Sequence, residues 1–202
     1  MVGLGPLMIH LVAELVRSGL EDFLRRKAGT GPTTDIVTLR QFADAQGEVA
    51  IPANRVGMCL FNIDEERIMK NQGYVTVRNG DRVSYAQPEV RLNLYMLLAA
   101  HFGTYDEALK HIGWTIAFFQ RKRVFTPENT PTMAAGTPEI AIDLYPMTLE
   151  QQNYLWTILG IKYLPSVAYQ LRPVVVQEDE LEREARPVSR LELQTGGRPP
   201  PS

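Results

Sequence analysis

The sequence predicts an α+β fold: a single domain over residues 1–176 in which a mixed, mostly antiparallel sheet packs with about three helices, followed by a flexible C-terminal tail over residues 177–202. Three observations carry this. Apolar residues recur at helical spacing near the start of the chain. Apolar residues alternate in long extended runs through the middle. Two Thr-x-x-Glu/Gln signatures mark helix starts in the second half.

The first helix is expected from Leu7 to Lys27, with Ile9, Val12, Val16, Leu20 and Phe23 facing a core. Glu14, Arg17, Ser18, Glu21 and Arg25 are assigned to the other side, and Gly29 follows the last basic turn, where helices commonly stop. Ile36, Val37 and Leu39 mark a short strand, and Val49 with Ile51 a further one, stopped by Pro52. From Arg55 to Ile63 both alternating sets are apolar, as in a strand covered on both faces. Asp64 to Asn71 is charged and reads as a connecting, solvated loop. Asn79-Gly80, set between Val75–Val77 and Arg82–Tyr85, is a hairpin signal, and the hairpin is polar enough to project from the body.

Pro88 to His101 reads as a long strand. Val90, Leu92, Leu94, Met96 and Leu98 lie on one face; Arg91, Asn93, Tyr95 and Leu97 lie on the other. Thr104 with Glu107 opens a helix to about Arg121. Trp114, Phe118 and Phe119 on it are read as core, with a subunit interface as the alternative. Arg121-Lys122-Arg123 closes it with charge suited to the helix dipole, and offers a contact for an acidic partner. Thr126 to Pro138 is a surface loop, and Glu139 to Tyr145 a strand. Thr148 with Gln151 opens a helix carrying Leu155, Trp156 and Leu159 up to Gly160. Val167 to Val176 is the last strand, and Pro173 puts it at an edge or a bulge. After Gln177 the chain is charged, then alternates briefly from Val188 to Leu193.

Composition excludes several classes of function. A net charge of -2 gives no basic face for a nucleic acid. No stretch approaches the ~20 apolar residues of a transmembrane helix, so no membrane insertion is expected. Cys59, the single cysteine, sits in an apolar strand and reads as inert. His10, His101 and His111 lack metal-ligand spacing, and neither a phosphate loop nor a nucleophile elbow is present. The expectation is therefore no enzyme, no cofactor and no metal, with synthesis in the cytoplasm. A ligand-binding or enzymatic α+β domain with a pocket near Tyr95, His101 and His111 is an alternative.

From Pro88 onward a series of blocks appears in order: Pro88–Leu97 (PEVRLNLYML), Tyr105–Leu109 (YDEAL), Phe118-Phe119-Gln120, Leu144–Trp156 (LYPMTLEQQNYLW) and Lys162–Tyr169 (KYLPSVAY). In these the sequence resembles the N-terminal domain of the tail-terminator, or cap, proteins of extracellular contractile injection systems, of the antifeeding-prophage and virulence-cassette type. The resemblance spans about Leu7 to Val176. It implies a tail-terminator-like fold and a homohexameric ring that ends the inner tube and anchors the sheath of an injection particle. The partners it implies are further copies of the chain, the tube protein and the sheath protein. A soluble assembly adaptor or chaperone for tail subunits is the other reading. The residues expected to make protein contacts are Arg121, Lys122 and Arg123, and Val188, Arg190, Leu191 and Leu193, the last group as an extra strand on a neighbouring subunit.

Overall fold

A computed structural model describes residues 8–31, 34–66, 75–79, 82–86, 90–134, 137–176 and 183–185. Helix α1 (Met8–Ala28) precedes strands β1 (Val37–Leu39), β2 (Arg55–Glu65), β3 (Val75–Asn79), β4 (Arg82–Ala86) and β5 (Val90–His101). Helix α2 (Tyr105–Arg121), β6 (Val124–Phe125), β7 (Ile140–Leu144), α3 (Leu149–Leu159), β8 (Ser166–Val176) and β9 (Arg183–Ala185) complete the chain order. The main sheet has six strands in the order β1-β2-β5-β8-β7-β6; only the β1–β2 pair is parallel. This is the expected α+β class with its three helices and mostly antiparallel sheet.

Alternation along β5 builds two cores. Leu94, Met96 and Leu98 face α1 and α2 and join Val16, Leu20 and Phe118. Leu97 and Ala99 point the other way, toward Phe42, Ile51 and Trp156 of α3. The sheet is thus sandwiched, which explains why both faces of β2 read as apolar. Each large side chain buried this fully contributes about 1.5–3 kcal/mol of transfer free energy.

The helix starts behave as the sequence implies, with one difference. At α3 the capping box is complete: the Gln151 amide donates to Thr148 Oγ1 and the Thr148 amide to Gln151 Oε1. At α2 the Glu107 amide reaches Thr104 Oγ1, but the Glu107 carboxylate turns forward to Lys110, 2.6 Å away. Gly160 ends α3 at φ 71°, a backbone region that favours glycine.

Three sequence expectations are corrected. Val49 and Ile51 form no strand: Val49 makes one bridge to Ala43, and Ile51 is a fully buried plug. Asp64 and Glu65 belong to β2, not to a loop, because β5 is long enough to pair with them. Glu21 is buried, at 3% exposure, because the start of β1 packs over it. Pro173 takes the second of its two expected places: β8 lies between β5 and β7, and Arg172-Pro173 form a bulge opposite Asn93. A second bulge at Phe61 shifts the β2 register against Tyr95. Arg183–Ala185, in the charged stretch after Gln177, pairs with β4 to form a second sheet, β3-β4-β9.

Candidate interaction surfaces

The histidines and Tyr95 do not converge. Tyr95 and His101 lie on β5, and the His101 Nδ1 is 2.6 Å from the Ile51 carbonyl oxygen. His111 is on α2, buried and stacked on Phe102 at 4.0 Å. None of the grooves among the described residues is lined by these three side chains. Among the described residues no group of three His, Cys, Asp or Glu side chains is placed to hold a metal ion. Nor is any described helix long and apolar enough to cross a membrane. Cys59 is half-buried, and desolvation pushes its thiol pKa up, away from the reactive thiolate.

The acidic run has a structural use. Asp64 accepts hydrogen bonds from the Tyr95 hydroxyl (2.9 Å) and from Asn93 Nδ2 (2.9 Å), closing a polar cluster that Gln170 joins from β8. Burial and the Asp64 contact push the Tyr95 pKa up to about 12. Burial alone does the same to Tyr169, which packs on Phe119 at 4.3 Å. Each phenol is therefore more firmly protonated folded than unfolded. The stability this gives is complete below the unfolded value near 10 and is lost as pH rises toward 12. Tyr169→Phe keeps the ring and removes the titration, so its alkaline unfolding midpoint, followed by circular dichroism, is expected to lie at higher pH than wild type.

The basic run at the end of α2 divides. Lys122 turns inward: its Nζ donates to the Asn129 carbonyl (3.1 Å) and Thr130 Oγ1 (2.8 Å) and sits 4.4 Å from the Phe125 ring centroid. It pins the 126–133 loop, whose Thr130 and Met133 are buried, and burial lowers its pKa. Arg121 and Arg123 stay exposed, and Arg123 borders a groove of about 300 Å³ with Phe119 and Leu144. Val188, Arg190, Leu191 and Leu193 lie outside the described residues.

The surface that sequence reading missed is α3. Only Trp156 of this helix is buried; Leu149 and Ile158 are 85% and 82% exposed, and Tyr154 is exposed beside them. Glu150 is the only charged residue on the helix. The signal was present: Leu149, Tyr154, Leu155, Trp156, Ile158 and Leu159 make an apolar band wider than one core stripe needs. Between α3 and β2 lies a groove of about 620 Å³ lined by Phe42, Cys59, Phe61, Tyr154, Leu155 and Ile158. An apolar groove edged by an exposed apolar helix is a protein-docking feature rather than a solvent-facing one. On the opposite side of the sheet, Met8, Leu11 and Leu15 of α1 line a second groove of about 450 Å³ with Met133.

A sheet covered on both faces, a second three-stranded sheet and an exposed apolar helix offer several surfaces for contacts. The family model described as the Pvc16 N-terminal domain matches residues 11–190. The chain belongs to this family. As a Pvc16 N-terminal domain it is similar in fold to the sheath/tube terminator of the PVC extracellular contractile injection system in its extended state, with 15% identity and a TM-score of 0.55. That similarity covers 93% of this chain and 64% of the other. It is also similar to the tube-terminating cap of the anti-feeding prophage, with 17% identity, a TM-score of 0.56, and coverage of 88% and 59%. The chain thus spans less than two thirds of either structure's length. No match is found among curated proteins. The family found is the one the sequence blocks resemble.

Proposed function

We propose that this Pvc16 N-terminal domain is a non-catalytic cap subunit that ends the inner tube and holds the sheath of a contractile injection particle. The family membership over residues 11–190 is the observation that carries this reading. The physical logic supports it. A tube and a sheath are open stacks of heterologous contacts, and such growth stops only when a ring offers a different far face. The chain supplies distinct surfaces for such a role: the apolar α3 face, the Arg121–Arg123 edge and the β3-β4-β9 sheet. In this reading copies of the chain form a homohexameric ring assembled in the cytoplasm, and residues 188–193 add as a strand to a neighbouring subunit.

Electron microscopy of particles from a strain lacking this chain tests the proposal. Overlong tubes or tubes without sheath are expected. Particles of normal length with intact sheath would overturn it.

A further inference from the structure

We infer that two free copies of this chain pair edge to edge along β2, at residues 60–63, which brings their α3 helices side by side. β2 carries β1 on one side only at residues 56–58. The Arg40 amide still donates to the Met58 carbonyl; after it the chain leaves the sheet and Phe42 turns into the core. Among the described residues no strand continues beside residues 59–63 on that side, while β5 pairs with the other. An open edge of this kind is a template for a further strand.

The bulge in β2 decides which backbone groups face outward. Val56 and Met58 direct theirs at the β1 side, so by the strand period of two Leu60 does the same. Past the bulge the Glu66 amide donates to the Arg91 carbonyl, on the β5 side, so Ile63 faces outward. Among the described residues the Leu60 carbonyl meets only the Cys59 thiol there, at 3.5 Å. Across a two-fold axis the outward groups match. Leu60 of one copy lies opposite Ile63 of the other, Ile63 lies opposite Leu60, and each couple exchanges both bonds of an antiparallel pair. No charged side chain stands in residues 60–63.

The side chains follow the same register. Leu60 and Ile63 pair with Met96 and Leu94, which both lie on the α1 face of the sheet, so they share that face. Ile63 is 45% exposed, and the pairing lays it against the other copy's Leu60. On the α3 face, Phe61 and Asn62 line the groove whose wall is Tyr154, Leu155 and Ile158. Antiparallel pairing about a two-fold axis keeps both α3 helices on one face of the joined sheet, so this wall meets its own copy. Ile158, at 82% exposure, and Tyr154, at 59%, are covered there. The open backbone edge and the apolar helix thus ask for the same occupant, a second copy. A head-to-tail ring does not use a two-fold contact, so the pair belongs to the unassembled chain. There it shields an edge and an apolar face from other strands.

Sedimentation of the purified full-length chain tests the pairing. Wild type is expected to be a dimer. Ile158→Glu and Ile63→Lys are each expected to raise its dissociation constant by about tenfold or more, with an unchanged circular dichroism spectrum. Asn62→Cys in a Cys59→Ala background sets two thiols beside the axis, where paired strands bring Cα atoms to about 5–6 Å. Mild oxidation is expected to join them into a covalent dimer, while Leu144→Cys in the same background stays monomeric. A wild-type chain that is monomeric at about 0.1 mM, where an interface of micromolar strength is filled, overturns the pairing. So does a dimer or larger oligomer that neither surface variant weakens, or that Asn62→Cys does not cross-link. Neither result bears on tube length in the deletion strain, so the cap reading stands or falls separately.

Discussion

Glu21→Ala is expected to destabilise the domain by about 3 kcal/mol, as the loss of two buried backbone partners predicts. Glu21 Oε1 accepts from the Ile36 amide at 2.9 Å and Oε2 from the Val37 amide at 2.6 Å. Arg25 Nε stands 2.9 Å from the same carboxylate. A charged acceptor on α1 therefore terminates the entry to β1. Alanine leaves two amides in a buried site with no acceptor, and each such group costs about 1–3 kcal/mol. Glu21→Gln separates the causes. It keeps the shape but turns one acceptor into a donor facing an amide, so a loss close to that of alanine is expected. Urea unfolding with an unchanged denaturant slope is the measurement. A glutamine variant as stable as wild type would show that packing, not the pair of accepted bonds, holds α1 to β1.

Gly57→Val is expected to be as damaging, in the opposite sense of space. Gly57 lies within β2, paired with Thr38 of β1 and Ala99 of β5. A glycine there weakens a strand, and by propensity alone any β-branched replacement should stabilise it. Packing reverses the sign. A Cβ at 57 would lie 2.6 Å from Ile51 Cδ1, 2.7 Å from Ile51 Cγ1 and 2.9 Å from Phe42 Cε1. Ile51 and Phe42 are fully buried, and Phe42 stacks on Trp156 with ring centroids 6.4 Å apart. Overfilling such a site costs about 1–3 kcal/mol for the first carbon, and valine adds two more. Gly57→Ala should fall between wild type and valine in thermal midpoint. A stabilised alanine variant would mean that Ile51 and Phe42 can withdraw without loss.

The two variants act on opposite faces of one sheet, and this bears on the surface function. Gly57 seats Phe42, which lines the groove beside α3. A shift of Phe42 moves the floor of the exposed apolar face. Glu21 acts on the far side and leaves that face in place.

Much of the fold was legible in the chain because it depends on local order. The period of 3.6 in α1 and α2, the period of two in β5, and the Thr148–Gln151 box need only neighbours in sequence. The Pro88–Tyr169 blocks likewise pointed to the family that the match over residues 11–190 shows. The missing parts share a different cause. Ile51 reads as a strand residue but is a plug, because its partner is the absent side chain of Gly57. Lys122 reads as a charge that closes α2, and its side chain is held by Asn129 and Thr130 above the Phe125 ring. Alternation and caps by themselves determined the α+β class and the two-faced sheet. Only the tertiary structure decided that Glu21 is buried, that α3 shows an apolar face outward, and that β9 pairs with β4. Each of those outcomes depends on which elements pack together over long sequence separations, and that information is not held in any short window of the chain.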